Sequence, residues 1–316
     1  MLEYFINEVS NQKLNVDSII ITKAGKRYEH FFTDIKDNNI RSISKTISCL
    51  GAYKAIEKGL YTLDTFILPF LDEDKITNTS NLQYLRHMKI KHLLNLTIGQ
   101  SKGLMFSKDI KMLPPETDLL YYILNYNIDY EPGTHFVYNN AATYILCAIT
   151  QKITGIYFGD WVQKELFDDI KIQTKFWESS LQGICLGASG LRLTNDDLHK
   201  IALLLLNEGK YKGKKIISKE WIKLMHSPQF FTANLDAYIS KQKRCINKMS
   251  YGYGLWICGI GTDDYPKTHY FCDGTDGQFL IVSPDNKMVI TILSHQKDMN
   301  PLYEILNHYL DCNIEK

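Results

Sequence analysis

The period of apolar positions along the chain changes twice. Residues 16–22 and 27–32 are β-rich runs joined through Ala24-Gly25-Lys26, a pattern that predicts a hairpin. After Asn38-Asn39 the spacing lengthens, and Ile43, Ile47, Leu50, Tyr53, Ala55 and Leu60 recur as in an amphipathic helix over 42–60. Further helical stretches are expected at 91–96, at 118–126 after the Pro114-Pro115 breaker, at 141–153 and at 158–167. Thr194-Asn195-Asp196 starts another at 198–206, and Ser218 starts one at 221–225. The last third returns to strands. Residues 251–258 alternate glycine with aromatics, and 278–283 and 288–293 are apolar runs joined by the turn Pro284-Asp285-Asn286-Lys287. Asn300-Pro301, read as an N-cap followed by proline, opens a terminal helix to about Leu310.

β-structure at both ends therefore brackets a helical middle. The pattern predicts an α+β fold, one antiparallel β-sheet flanked by helices with an inserted all-helical lobe. The sheet lobe is expected from residues 1–40 and 185–316, and the helical lobe from 41–184.

Composition narrows the functional classes. The chain has 316 residues, 45% of them apolar, enough for a large core. Thirty-six Lys and Arg against 35 Asp and Glu leave a net charge of +1, which argues against a nucleic-acid binder. The longest apolar run, 201–206, is far shorter than a membrane span, and the first residues carry no secretory-signal pattern. Seven scattered cysteines (49, 147, 185, 245, 258, 272 and 312) without C-x-x-C read as reduced thiols of a cytoplasmic protein. His87 and His92 are five apart and do not stack on one helix face, so neither a metal nor another cofactor is expected. Phosphate-loop and G-x-S-x-G motifs are absent as well.

What remains is Ser-x-x-Lys, found at Ser10/Lys13, Ser42/Lys45, Ser240/Lys243 and Ser294/Lys297. In a lysine-rich chain each is by default an accident. Only Ser42 sits where a loop runs into a long predicted helix. There, residues three apart share a face, and the first turn offers unsatisfied N–H groups to a developing oxyanion. A serine needs such a neighbouring base to become a nucleophile. Tyr138-Asn139-Asn140, entering the helix at 141, adds a tyrosine that could relay a proton beside a lysine. The plain alternative is a buried aromatic whose hydroxyl is satisfied by Asn140.

With these residues in place the chain resembles the serine β-lactamase and penicillin-binding-protein superfamily. The similarity is to its class C-like branch of esterases, D-amino-acid peptidases and nylon-oligomer amide hydrolases. Ile40-Arg41-Ser42-Ile43-Ser44-Lys45-Thr46 is similar to the nucleophile motif, and Ile90 through Gly99 to its I-x-H-L-L-x-x-T-S-G segment. Pro132-Gly133 through Asn140 resembles P-G-x-x-F-x-Y-S-N. Gly190-Leu191-Arg192-Leu193-Thr194 through Asn207-Glu208-Gly209 and Tyr251 through Trp256 match further stretches in the same order.

The resemblance implies a site in the cleft between the lobes, with Ser42 as acylated nucleophile, Lys45 as its activating partner and Tyr138 as proton shuttle. It implies Asn140 as a substrate ligand, and an oxyanion hole from the Ser42 N–H and one N–H of a third motif. That motif is usually Lys-Thr-Gly or His-x-Gly. Here it aligns with Cys272-Asp273-Gly274 followed by Thr275, and Asp273 and Thr275 join the substrate-binding set. An acceptor at Asp273 would repel a substrate carboxylate and could pair with an amine, unless it is merely a solvated acid at a strand end. The expected activity is hydrolysis of a small-molecule ester or amide through an acyl-serine, with β-lactams disfavoured. The alternatives are an acyltransferase of the same fold and a catalytically weak binding scaffold.

Overall fold

A computed structural model describes residues 1–173, 176–232, 235, 246–258 and 268–310. In chain order, α1 (Glu3–Asn11) precedes the hairpin β1 (Val16–Lys23) and β2 (Lys26–Phe31), then the short β3 (Asp37–Asn39). A 3₁₀ turn, Arg41–Ile43, runs directly into α2 (Ser44–Glu57). The helical middle continues with α3 (Leu82–Leu85), α4 (Ile90–Leu94), α5 (Ser107–Lys111), α6 (Leu119–Asn125), α7 (Ala141–Thr154) and α8 (Phe158–Val162). Then come β4 (Arg192–Thr194), α9 (Asn195–Leu206), the ribbon β5 (Lys210–Tyr211) and β6 (Lys214–Lys215), and α10 (Lys219–Met225). The strands β7 (Phe230–Phe231), β8 (Ser250–Tyr251), β9 (Trp256–Cys258), β10 (His269–Gly274), β11 (Gln278–Ser283) and β12 (Met288–Ser294) lead to α11 (Asn300–Asn307).

The chain divides into two compact units, Met1–Ile43 with Arg192–Lys316, and Ser44–Leu191. The first holds an antiparallel sheet of eight strands in the order β2-β1-β12-β11-β10-β9-β8-β7. β11 and β12 are buried along their whole length, because both sheet faces are covered. On one face the Tyr303 ring of α11 meets Phe279 of β11 edge-on, 5.1 Å between centroids. On the other lies α9, whose Leu205 carbonyl accepts a hydrogen bond of 3.2 Å from the Tyr270 hydroxyl of β10. Its His199 is clamped between Thr22 (2.8 Å) and Thr291 (3.0 Å).

This second face also carries the turn that contains Ser42. Gly274 closes β10 against it: a Cβ at Gly274 would lie 2.6 Å from the Arg41 Cβ and 2.7 Å from the Ile40 carbonyl oxygen. Arg41 adopts a left-handed φ of 53°, a strained choice for a side-chain-bearing residue, with its N–H donating to Asn39 Oδ1 at 2.9 Å. Its guanidinium donates to Asp276 in the β10–β11 turn at 2.7 Å.

In the second unit α2 is buried from Ser44 to Ala55 on every side, not amphipathic as its spacing suggests. α7 and α8 pack against it, and Gly51 allows the approach, since a Cβ there would overlap Val162 and Phe158. The Trp161 indole N–H donates to the Gly51 carbonyl at 3.0 Å. α7 ends on Gly155 at φ 67°, the left-handed cap that releases the chain.

Several local expectations change. The 158–167 stretch is α8 followed by a π-helical turn at Gln163–Phe167. Residues 251–258 are two strands around a tight turn, in which the Gly252 N–H donates to the Leu255 carbonyl at 2.9 Å. Met299 occupies the N-cap of α11, so Asn300 is already helical, and the helix ends at Asn307. α1 has no counterpart in the sequence reading; its inward residues Phe5 and Val9 are too few to set a period. Cys245, Cys312 and the Ser240/Lys243 pair lie outside the described residues.

Burial holds the His199 imidazole at about 4, below its ordinary 6.5, with the Arg27 charge adding to the effect. The unfolded chain binds that proton near pH 6.5 and the folded chain only near 4. The stability His199 contributes is therefore complete above 6.5 and lost as pH falls to about 4, on the order of 3 kcal/mol. Urea titrations at pH 7 and pH 4.5 should show this loss, and His199→Gln should reduce it. Gly274→Ala should lower the urea midpoint by the equivalent of ~1–3 kcal/mol, because its methyl meets backbone that cannot yield.

Candidate active site

Ser42 stands in the 3₁₀ turn and Lys45 in the first turn of α2, three positions apart on one unbroken helical run. The other described Ser-x-x-Lys pairs lack this geometry. Lys13 lies past the end of α1 with φ 53°, and Ser294 ends β12 with its hydroxyl donated to the Asn15 carbonyl at 2.9 Å.

Lys45 is 2% exposed, so its amine must find partners inside the protein. Its Nζ donates to Asn140 Oδ1 at 2.7 Å and to the Ala188 carbonyl at 3.4 Å. It also lies 4.7 Å from the centroid of the Tyr138 ring. The structure thus brings together three of the expected residues, Lys45, Tyr138 and Asn140, from positions nearly a hundred residues apart.

Local sequence explains how the last two are held. Asn140 is the N-cap residue of α7, its N–H donating to the Leu104 carbonyl at 3.0 Å and its Nδ2 to the Met105 carbonyl at 2.8 Å. The preceding Asn139 is buried; its Oδ1 accepts the Ala142 N–H at 2.8 Å and its Nδ2 donates to the Val137 carbonyl at 2.6 Å. Asn139 therefore fixes the turn that presents Tyr138 and Asn140 on either side of it. Ala188 is delivered by a tight bend, its N–H donating to the Leu186 carbonyl at 2.6 Å. Gly187 has φ 65°, its carbonyl accepts from Ser48 Oγ at 2.9 Å, and a Cβ there would collide with Cys147. The motif Tyr138-Asn139-Asn140 gave Asn139 no role of its own, and no motif covers Ala188 or Met105. The last two act through carbonyls, which leave no side-chain signature.

Asn140 also borders a cavity of about 220 Å³ in the same unit, with Met105, Ile110, Leu186 and Ala188 as apolar walls and Glu178 at its side. His92 and His87 do not converge. His92 is buried, its Nδ1 accepts the Lys89 N–H at 3.2 Å, and desolvation with the nearby lysines lowers it to about 4. His87 is exposed and bonded to Glu131 at 2.9 Å.

The third motif needs correction. Successive side chains of a strand face opposite ways. Gly274 faces the Ser42 turn, and Asp273 faces α11. There the Asp273 carboxylate accepts from Tyr303 OH at 2.6 Å and from Lys248 Nζ at 3.0 Å, with only 11% of its side chain exposed. It is neither a solvated acid nor a group aimed at substrate, and the repulsion expected between Asp273 and a substrate carboxylate loses its basis. Cys272, on the Gly274 side, is buried. Thr275 is exposed in the β10–β11 turn, next to the Asp276 that Arg41 holds.

Among the described residues no helix is long and apolar enough to cross a membrane. Solved structures share the fold at low identity. A Bacillus anthracis protein provisionally described as a 6-aminohexanoate-dimer hydrolase is 20% identical, covering 95% of this chain and 79% of its own, with a TM-score of 0.74. An octameric penicillin-binding protein homologue from Pyrococcus abyssi is 19% identical, covering 97% and 75%, with a TM-score of 0.74. A penicillin-binding protein from Bacillus halodurans is 16% identical, covering 98% and 99%, with a TM-score of 0.71. The family model for beta-lactamases matches residues 39–312, which contain Ser42, Lys45, Tyr138, Asn140, Asp273 and Thr275, and the chain belongs to the beta-lactamase family.

Proposed function

We propose that the chain is a serine hydrolase that cleaves an ester or amide bond through an acyl-Ser42 intermediate. The observation that carries this reading is the setting of Lys45. A buried amine, gripped at 2.7 Å by Asn140 and facing the Tyr138 ring, sits one helical turn beyond a serine. A purely structural lysine would have no need of a tyrosine on one side and a serine one turn before it.

In the proposed cycle Lys45 and Tyr138 act as one proton-transfer unit. They take the Ser42 hydroxyl proton as Oγ bonds to the substrate carbonyl carbon, and the carbonyl electron pair moves onto oxygen. The Ser42 N–H and one backbone N–H of the 272–275 segment stabilise that oxyanion. As the tetrahedral intermediate collapses, the bond to the leaving alcohol or amine breaks and the stored proton passes to it. Water then gives a proton to the same unit as it attacks the acyl-serine, and when this second tetrahedral intermediate collapses the bond to Ser42 Oγ breaks, the proton returns to Oγ and the acid leaves. Asn140 keeps the lysine amine in place and offers its amide edge to the acyl group.

A fluorophosphonate probe should add its mass to the peptide that contains Ser42, and Ser42→Ala should abolish the adduct; labelling at Ser10 or Ser294 instead would refute the assignment. Lys45→Ala and Tyr138→Phe should each lower kcat for a p-nitrophenyl ester by ~10²–10⁴. The double variant should lose far less than the product of the two, because both act on one proton. Fully multiplicative losses would mean that they work separately.

A further inference from the structure

We propose that β2, the free edge of the sheet, pairs antiparallel with β2 of a second copy of this chain, about a two-fold axis at Tyr28. The inference lies wholly in the sheet unit and does not depend on the catalytic cycle above.

β2 ends the eight-stranded sheet, and among the described residues no strand pairs with its outer side. The opposite edge, β7, is only two residues long. β2 has six residues, no proline, and an unbroken register from Ser18 opposite Phe31 to Lys23 opposite Lys26. An edge of this kind is a template for another strand unless something covers or breaks it. In an antiparallel ladder the backbone groups of successive residues point to opposite sides. The Phe32 N–H donates to the Asp17 carbonyl at 2.8 Å, so residues 30, 28 and 26 likewise direct their backbone groups to β1. The N–H and C=O groups of Arg27, Glu29 and Phe31 therefore point outward, and an outer ladder must be built from these three.

Charge then selects the register. Arg27 opposite Arg27, or Glu29 opposite Glu29, would set like charges against each other on the axis. Glu29 opposite Phe31 would leave Arg27 beyond the paired residues. Only Arg27 opposite Glu29 matches both charges, and the two-fold axis makes that match twice. Within one chain Arg27 already holds Glu29 at 2.5 Å and Asp196 of α9. Pairing would extend this into a ring of four charges alternating in sign. On the other face the same register sets Tyr28 against its own symmetry mate, and Lys26, opposite His30, lies 5.2 Å from the centroid of its Tyr28 ring. Phe31, 49% exposed, comes to stand opposite Gly25 of the hairpin turn, where a Cβ would meet nothing within 4 Å. The bare glycine offers that ring a place to lie. One strand pair buries little area, so the dimer is expected to be weak and concentration-dependent.

Sedimentation velocity over about 1–500 μM tests this, with wild type passing from monomer to dimer as concentration rises. Arg27→Glu and Glu29→Arg should each raise the dissociation constant at least about tenfold, because each sets like charges opposite one another. An equimolar mixture of the two variants should form a heterodimer, since in the mixed pair every charge again meets its opposite. The double variant Arg27→Glu/Glu29→Arg should recover the homodimer for the same reason, which also separates a lost contact from a lost fold. Amide exchange at residues 27, 29 and 31 should slow on dimerisation. Wild type that stays monomeric across the range overturns the inference, as does a dimer indifferent to both single variants. Loss in the single variants with no recovery in either the mixture or the double variant overturns it too.

Discussion

A buried lysine amine is the constraint on which the helical unit is organised. Removing a lysine amine from water costs several kcal/mol unless polar groups replace the lost hydration. Lys45 recovers this from the Asn140 amide oxygen and the Ala188 carbonyl, and from the face of Tyr138. These partners come from two separate stretches of chain, 138–140 and 187–188, so satisfying one amine fixes the start of α2, the N-terminus of α7 and the bend at Gly187-Ala188 together. In the proposed cycle the groups that hold the amine also use it, and removing a single member would cost the buried amine one of its partners.

The sheet unit meets a different requirement, close backbone approach. A serine at the start of a helix is useful for acyl transfer only if a second N–H donor can stand near its own. Gly274 lets the end of β10 lie directly on Ile40 and Arg41, and the Arg41–Asp276 pair ties the following turn to the same spot. The left-handed backbone at Arg41 is part of this arrangement. Strain of that kind persists only where surrounding contacts over-determine the chain, which the Asn39 and Asp276 contacts do.

Asp273 shows how a short motif misleads when read without its strand. Its neighbours in sequence, Cys272 and Gly274, lie on one sheet face, and Asp273 points to the other, where Lys248 and Tyr303 neutralise it.

The sequence by itself determined the elements whose cause is local. The hairpin at Ala24-Gly25, the caps at Asp118, Thr194 and Ser218, and the strands β11 and β12 follow from turn chemistry, side-chain capping and apolar runs. It also singled out Ser42, Lys45 and Tyr138 as candidates, because a nucleophile and its base need particular residue types at particular spacings, and the family resemblance added Asn140. Tertiary structure alone decided the rest. α2 is buried on all sides because α7 and α8 wrap it, which no periodicity within α2 encodes. The face to which Asp273 points depends on the register of β10 against β11, and the acceptors for Lys45 include a carbonyl identical in every residue type. Side-chain identity is written in the sequence, whereas direction, burial and main-chain partners arise only when distant segments pack.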